Sequence, residues 1–148
     1  MTDTLDWFAT KFNLGDLTVR RYAFWTWSVR PIQSTLGAGV LSLNRPCATW
    51  GEARGDENAE LAEVIADVEG RLRKCFACDK FNYLMLMMVD PHVHFHVMPR
   101  YAEPRRRYEL EWSDATWPKL PDFYSGTTDT AVLEQIRRDL LSMRDAHE

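Results

Sequence analysis

The chain has 148 residues, 45% of them hydrophobic and 27% charged, with a formal net charge of −4. That length holds one globular core and not two ordinary domains, and the mild acidity argues against binding nucleic acid over the whole surface. No apolar run approaches the roughly 20 residues of a membrane span, and the acidic, amphipathic start MTDTLDWFATKF does not read as a secretion signal.

Taken in chain order, Leu5, Phe8 and Phe12 recur at helical spacing and predict a helix over residues 3–13, stopped by Gly15. Residues 18–29, TVRRYAFWTWSV, are β-branched and aromatic and predict one long or broken strand, ended by Pro31. GAGVLSL, residues 37–43, predicts a short second strand. The apolar stripe Leu61, Val64, Ile65, Val68, Leu72 and Phe76 predicts a helix over residues 58–76, with Asp56 or Asn58 as its cap. KFNYLMLMMV, residues 80–89, reads as a buried strand, and Asp90-Pro91 as a turn. HVHFHVM, residues 92–98, has the period of a strand, and residues 99–126 look irregular. A last helix is expected over residues 128–146. Antiparallel strands with flanking helices imply an α+β fold.

Three of the four histidines stand at positions 92, 94 and 96. On a strand, His92, His94 and His96 share one face, and the apolar Val93, Phe95 and Val97 share the other. Neutral imidazole is a nucleophile and its protonated form an acid near pH 7. A row of imidazoles can therefore attack phosphorus with one ring and protonate the leaving oxygen with the next. A solvated stripe and a zinc site are the alternatives, but no obvious carboxylate or thiolate completes a metal set.

HVHFHVM matches at all seven positions the motif His-φ-His-φ-His-φ-φ, with φ apolar, and resembles the histidine triad superfamily. DKFNYLMLMMVDPHVHFHVMPRY, residues 79–101, is similar to the bacterial diadenosine polyphosphate hydrolase-like branch. The resemblance covers a common core of about residues 18–101 within a single domain of residues 1–148, with extra N- and C-terminal helices and a C-terminal extension over 102–148. It implies an antiparallel sheet with flanking helices and an enzyme that cleaves a nucleotide phosphoanhydride or phosphoramidate at the α-phosphate. His94 would be the nucleophile, His96 would help the leaving group depart, and His92 would orient His94 through its backbone carbonyl. The resemblance implies no catalytic metal and no cofactor.

Two departures point to a rival reading, a nucleotide-binding module with degenerate activity. Many members carry a fourth histidine where this chain has Ala38 or Gly39, so His92 shows no partner. Many have a polar stretch before the triad where this chain has Met87, Met88 and Val89. Arg100, at the end of the triad strand, and Asn82 are the candidate substrate-binding residues. The run Arg105, Arg106 and Arg107 suits either phosphate or solvent.

Cys75 and Cys78 lie at the C-terminal end of their helix, where the dipole opposes a thiolate, and read as packing. With Cys47 they are too few for a disulfide framework, which points to the cytoplasm. Trp25 and Trp27 share one strand face, and Tyr22 and Phe24 the other. That aromatic load predicts a homodimer.

Overall fold

Alternate residues of a strand point to opposite faces, and here the two faces take different partners. The computed structural model describes residues 4–143. Its main sheet has five antiparallel strands: β1 Thr18–Arg21, β2 Trp25–Val29, β3 Gly39–Leu43, β4 Lys80–Leu84 and β5 His94–Arg100, in the order β1-β2-β3-β5-β4. With its flanking helices the fold is α+β. One face carries Trp25, Trp27, Val29, Leu41, Leu43 and Val97, all fully buried. Two helices cover it. α3, Gly55–Phe76, contributes Leu61, Val64, Val68, Leu72 and Phe76, and α4, Thr130–Ser142, contributes Val132, Leu133, Ile136 and Leu140.

The apolar stripe of α3 packs as its spacing predicts, but the helix starts earlier. The Glu57 carboxylate reaches back to the Arg54 N–H (2.8 Å) and is held by both arms of Arg45 (2.8 and 2.9 Å), so the first turn forms at Gly55. Ala77, in the left-handed region at φ 54°, ends the helix. The last carbonyls then take guanidinium groups: Arg107 donates to Cys75 O (2.9 Å) and Arg105 to Ala77 O (2.8 Å). These two arginines thus cap the negative end of a helix. At α4, Asp129 accepts from the N–H groups of Ala131 and Val132. The helix ends at Ser142, with Met143 extended, short of the expected residue 146, which itself lies outside the described residues.

Four other expectations are corrected. Residues 18–29 form a hairpin, closed where the Tyr22 N–H bonds Trp25 O (2.7 Å). β4 stops at Leu84, and Leu86, Met88 and Val89, read as buried, are 55%, 87% and 75% exposed. Residues 99–126 contain a two-stranded sheet, β6 Arg105–Arg107 with β7 Leu110–Trp112, turning through Tyr108 and Glu109, both at positive φ. The first helix, α1 Thr4–Lys11, is ended by Asn13 at φ 51°, while Gly15 sits inside a short second helix, α2 Leu14–Leu17. The argument for a partner chain also weakens. Trp25 and Trp27 are wholly buried within one chain, and Tyr22 and Phe24, at the hairpin bend, pack on the same core.

Candidate active site

The histidines lie on the sheet face away from α3 and α4. Residues opposite one another on antiparallel strands share a face. The register therefore sets two rows across β5, β3 and β2: His94, Ser42 and Thr26 in one, His96, Val40 and Ser28 in the other. His92 lies just before β5, in a turn where its N–H bonds Asp90 O (2.8 Å).

Two hydrogen bonds define the rings. His92 Nε2 bonds the Leu43 carbonyl (2.8 Å), and His94 Nδ1 bonds the His92 carbonyl (2.5 Å). A carbonyl only accepts, so each of these nitrogens carries the proton. In the neutral ring of His94 the lone pair is then on Nε2. His96 stands edge-on to His94, with ring centroids 5.0 Å apart. The partner of His92 that Ala38 and Gly39 do not supply is the Leu43 carbonyl.

The site is covered. Helix α1 lies across the histidines, with Phe8 5.0 Å from His92 and 4.9 Å from His94, and Phe12 5.8 Å from His94 and 6.2 Å from His96 (ring centroids). Phe123, from the segment before α4, meets His96 edge-on at 5.1 Å. His92, His94 and His96 are left 0%, 1% and 6% exposed. Phe8, Phe12 and Val40 form an apolar cluster of their own, separate from the main core. An ion pair between Lys11 and Asp90 ties the end of α1 beside the triad turn. The sequence carried the signal in Phe8 and Phe12, one helical turn apart, but not what that face would cover.

Burial sets the protonation state. It pushes all three imidazoles below their usual range, and for His94 the bond to the His92 carbonyl works against it. His96 falls furthest, to about 3, through burial first and then the charges of His94, Arg30 and Lys11. At pH 7 the rings are neutral, which is the nucleophilic form for His94. The same shifts act on stability. As pH falls below about 6.5 the unfolded chain takes up protons that the folded one refuses, so stability is full above that pH and is lost below it. For His96 alone the loss at pH 5 is about 2 kcal/mol. The melting temperature is expected to drop between pH 7.5 and pH 5, and less steeply in His96→Gln. Equal slopes in the two proteins would show that His96 is not held neutral.

Arg100 and Asn82 are brought together. Arg100, 3% exposed, grips Asp114 with Nε (2.6 Å) and Nη2 (3.0 Å) and donates from Nη1 to Asn82 Oδ1 (2.7 Å). The Arg100 fork clips β5 to residues 114–116. The thiols of Cys75 and Cys78 are free, and burial pushes both up to about 11, in keeping with packing. Among the described residues no group of three His, Cys, Asp or Glu could hold a metal ion, and no helix is long and apolar enough to cross a membrane.

No family model matches the sequence, and no curated protein does. The fold, however, is that of histidine triad proteins. It is similar to a Hit-like protein involved in cell-cycle regulation from Bartonella henselae, at 13% identity and TM-score 0.66, covering 91% of this chain and 92% of that one. A zinc-bound histidine triad family protein from Mycobacterium smegmatis has 15% identity and TM-score 0.64, covering 95% and 94%. A hypothetical histidine triad nucleotide-binding protein from Sulfolobus tokodaii has 17% identity and TM-score 0.62, covering 90% and 88%.

Proposed function

We propose that the chain is a histidine triad nucleotide hydrolase or nucleotidyl transferase, cleaving a phosphoanhydride or phosphoramidate bond at the α-phosphate of a nucleotide. A dinucleoside polyphosphate of the diadenosine type is the substrate class we favour. The observation that carries this reading is the His94 ring, whose Nδ1–H is tied to the His92 carbonyl, leaving Nε2 as a base-form nucleophile beside His96.

Nε2 of His94 attacks the α-phosphorus, and the bond from phosphorus to the leaving oxygen or nitrogen breaks. The ring becomes a cationic phosphoramidate, and its Nδ1–H bond to the His92 carbonyl strengthens as that charge develops. A proton on His96 goes to the leaving atom. Water then attacks the same phosphorus, giving a proton back to the now neutral His96, the P–N bond breaks, and the nucleoside monophosphate and neutral His94 are released. His96 is neutral while covered, so it gains its proton only once an anionic phosphoryl group lies beside it. Substrate reaches Nε2 only when α1 and the segment around Phe123 stand away from the rings.

The test is release of nucleoside monophosphate from a dinucleoside polyphosphate and from an adenosine phosphoramidate, before and after dialysis against EDTA. Turnover that survives chelation is expected. Activity lost to EDTA and restored by zinc would return the three histidines to a metal role. Nucleotide binding with no product from either compound would favour the rival reading, a binding module with degenerate activity, which the covered site itself motivates. Three free thiols suit a reducing cytoplasm. The homodimer stays part of the proposal, and sedimentation at micromolar concentration checks it.

A further inference from the structure

The triad face holds more polar chemistry than the three histidines use. Among its fully buried polar atoms, four have no hydrogen-bond partner among the described residues: Ser28 Oγ, Arg30 Nε, His92 Nδ1 and His96 Nδ1. Their residues are 0%, 8%, 0% and 6% exposed. Burying such an atom unpaired is costly; His92 Nδ1 lies at the far end of the triad, and the other three gather around His96 and the end of β2. Ser28 shares its row with Val40 and His96. Arg30 is two residues on, its N–H continuing the ladder to Ala38 O (2.8 Å), so its side chain returns to the same face.

Arg30 is unusual in a second way. It is a buried cation with no carboxylate in ion-pair contact among the described residues. Its terminal nitrogens donate to neutral oxygens: Ile32 O (3.1 Å), Ser34 Oγ (3.3 Å) and Phe123 O (2.9 Å). The acid nearest in effect, Asp122, spends its carboxylate on the Tyr124 and Ser125 N–H groups. The Phe123 ring touches both sides, with the Arg30 guanidinium 5.0 Å from its centroid and the His96 ring 5.1 Å away. Phe12 meets His96 from above and packs with Val40. Arg30 and His96 therefore flank ground that Phe123 now occupies, with Phe12 over His96, and Ser28 lies across Val40 in the same row.

We propose that Ser28 and Arg30 form a phosphoryl-binding site on the triad face, separate from the phosphorus that His94 attacks. The inference rests on the nucleotide reading above. The Ser28 hydroxyl and the Arg30 Nε–H supply two donors, one of them charged, which match the oxygens of a phosphoryl group. Ser28 lies two strands from His96, roughly 9.5 Å across the sheet. A single phosphate at His94 does not reach it, whereas a polyphosphate chain running across Val40 does. The site therefore holds the part of the substrate beyond the reacting phosphorus. It also offers donors to an anionic ligand where the polar stretch expected before the triad is replaced by exposed Met88 and Val89.

The full-length protein tests this with inorganic tripolyphosphate and inorganic phosphate as probes, by calorimetry and by thermal melts, alongside kcat and KM on a dinucleoside polyphosphate. Tripolyphosphate is expected to bind more tightly than phosphate. Ser28→Ala removes only a hydroxyl with no bond in the folded chain, so its melting temperature should hold or rise while its tripolyphosphate affinity falls about tenfold. Arg30→Gln should weaken binding further and raise KM more than it lowers kcat, and Arg30→Lys should recover part of the loss. Wild-type affinity in Ser28→Ala and Arg30→Gln, with only a lowered melting temperature in the latter, would make Arg30 a latch for Phe123 and overturn the site. Failure of the wild type to bind tripolyphosphate would overturn it too. Binding that depends on both residues in a protein without turnover would sustain the site and sink the catalytic reading alone.

Discussion

Replacing His94 by asparagine is expected to lower turnover on the order of a thousandfold or more, because it removes the atom proposed to form the nucleotidyl adduct. The choice of asparagine follows from the structure. His94 is 1% exposed beneath Phe8 and Phe12, so His94→Ala leaves a cavity and an unpaired His92 carbonyl. An asparagine amide can still donate to that carbonyl and fills part of the space. Loss of activity with a nearly unchanged melting temperature therefore reports chemistry and not unfolding. Release of nucleoside monophosphate at more than a few per cent of the wild-type rate would move the nucleophile elsewhere.

Much of this molecule was legible before its structure. The period-two pattern of HVHFHVM put Val93 and Val97 in the core and three imidazoles on the other face, and the α3 stripe named the helix that covers the apolar side. Periodicity of this kind works because it states which face needs a partner. What it does not state is which partner arrives. Phe8 and Phe12 announced an apolar helix face, but only the fold shows that it lands on the histidines and not on the core. The two hairpin turns were missed for a related reason. Residues 22–24 and the pair Tyr108–Glu109 carry no Gly, Asn or Pro, so nothing local marked them; both Tyr108 and Glu109 sit at positive φ, and Tyr108 packs on the core and bonds Asp139. The MLMMV run failed in the opposite direction, since its composition reads as core while its backbone leaves the sheet at Leu84. Arg100 looked available because a sequence does not show Asp114 waiting fourteen residues on. Arg30 drew no attention because a lone arginine becomes informative only once its buried surroundings are seen to lack a carboxylate.

Removing the aromatic cover has the largest expected effect on the reactivity of the histidines. In wild type, an acylating reagent such as diethyl pyrocarbonate should modify the triad rings only through rare openings of α1. In Phe8→Ala/Phe12→Ala, the modification rate should rise on the order of a hundredfold. Each Phe→Ala change in a core typically costs about 3–5 kcal/mol, and two would approach the whole stability of a domain. Here the cost is capped. Phe8 and Phe12 belong to a cluster with Val40 that is separate from the main core under α3 and α4, so the variant loses the docking of one terminal helix and little else. The thermal transition followed by tryptophan fluorescence should therefore shift by only a few degrees, since Trp25 and Trp27 lie in the main core. A collapse of that transition would show that α1 is an integral part of the fold and not a cover. Histidines that stay unreactive in a folded double variant would show that Phe123 and the sheet seal the site without α1. In either case substrate entry would have to follow a path that spares this helix.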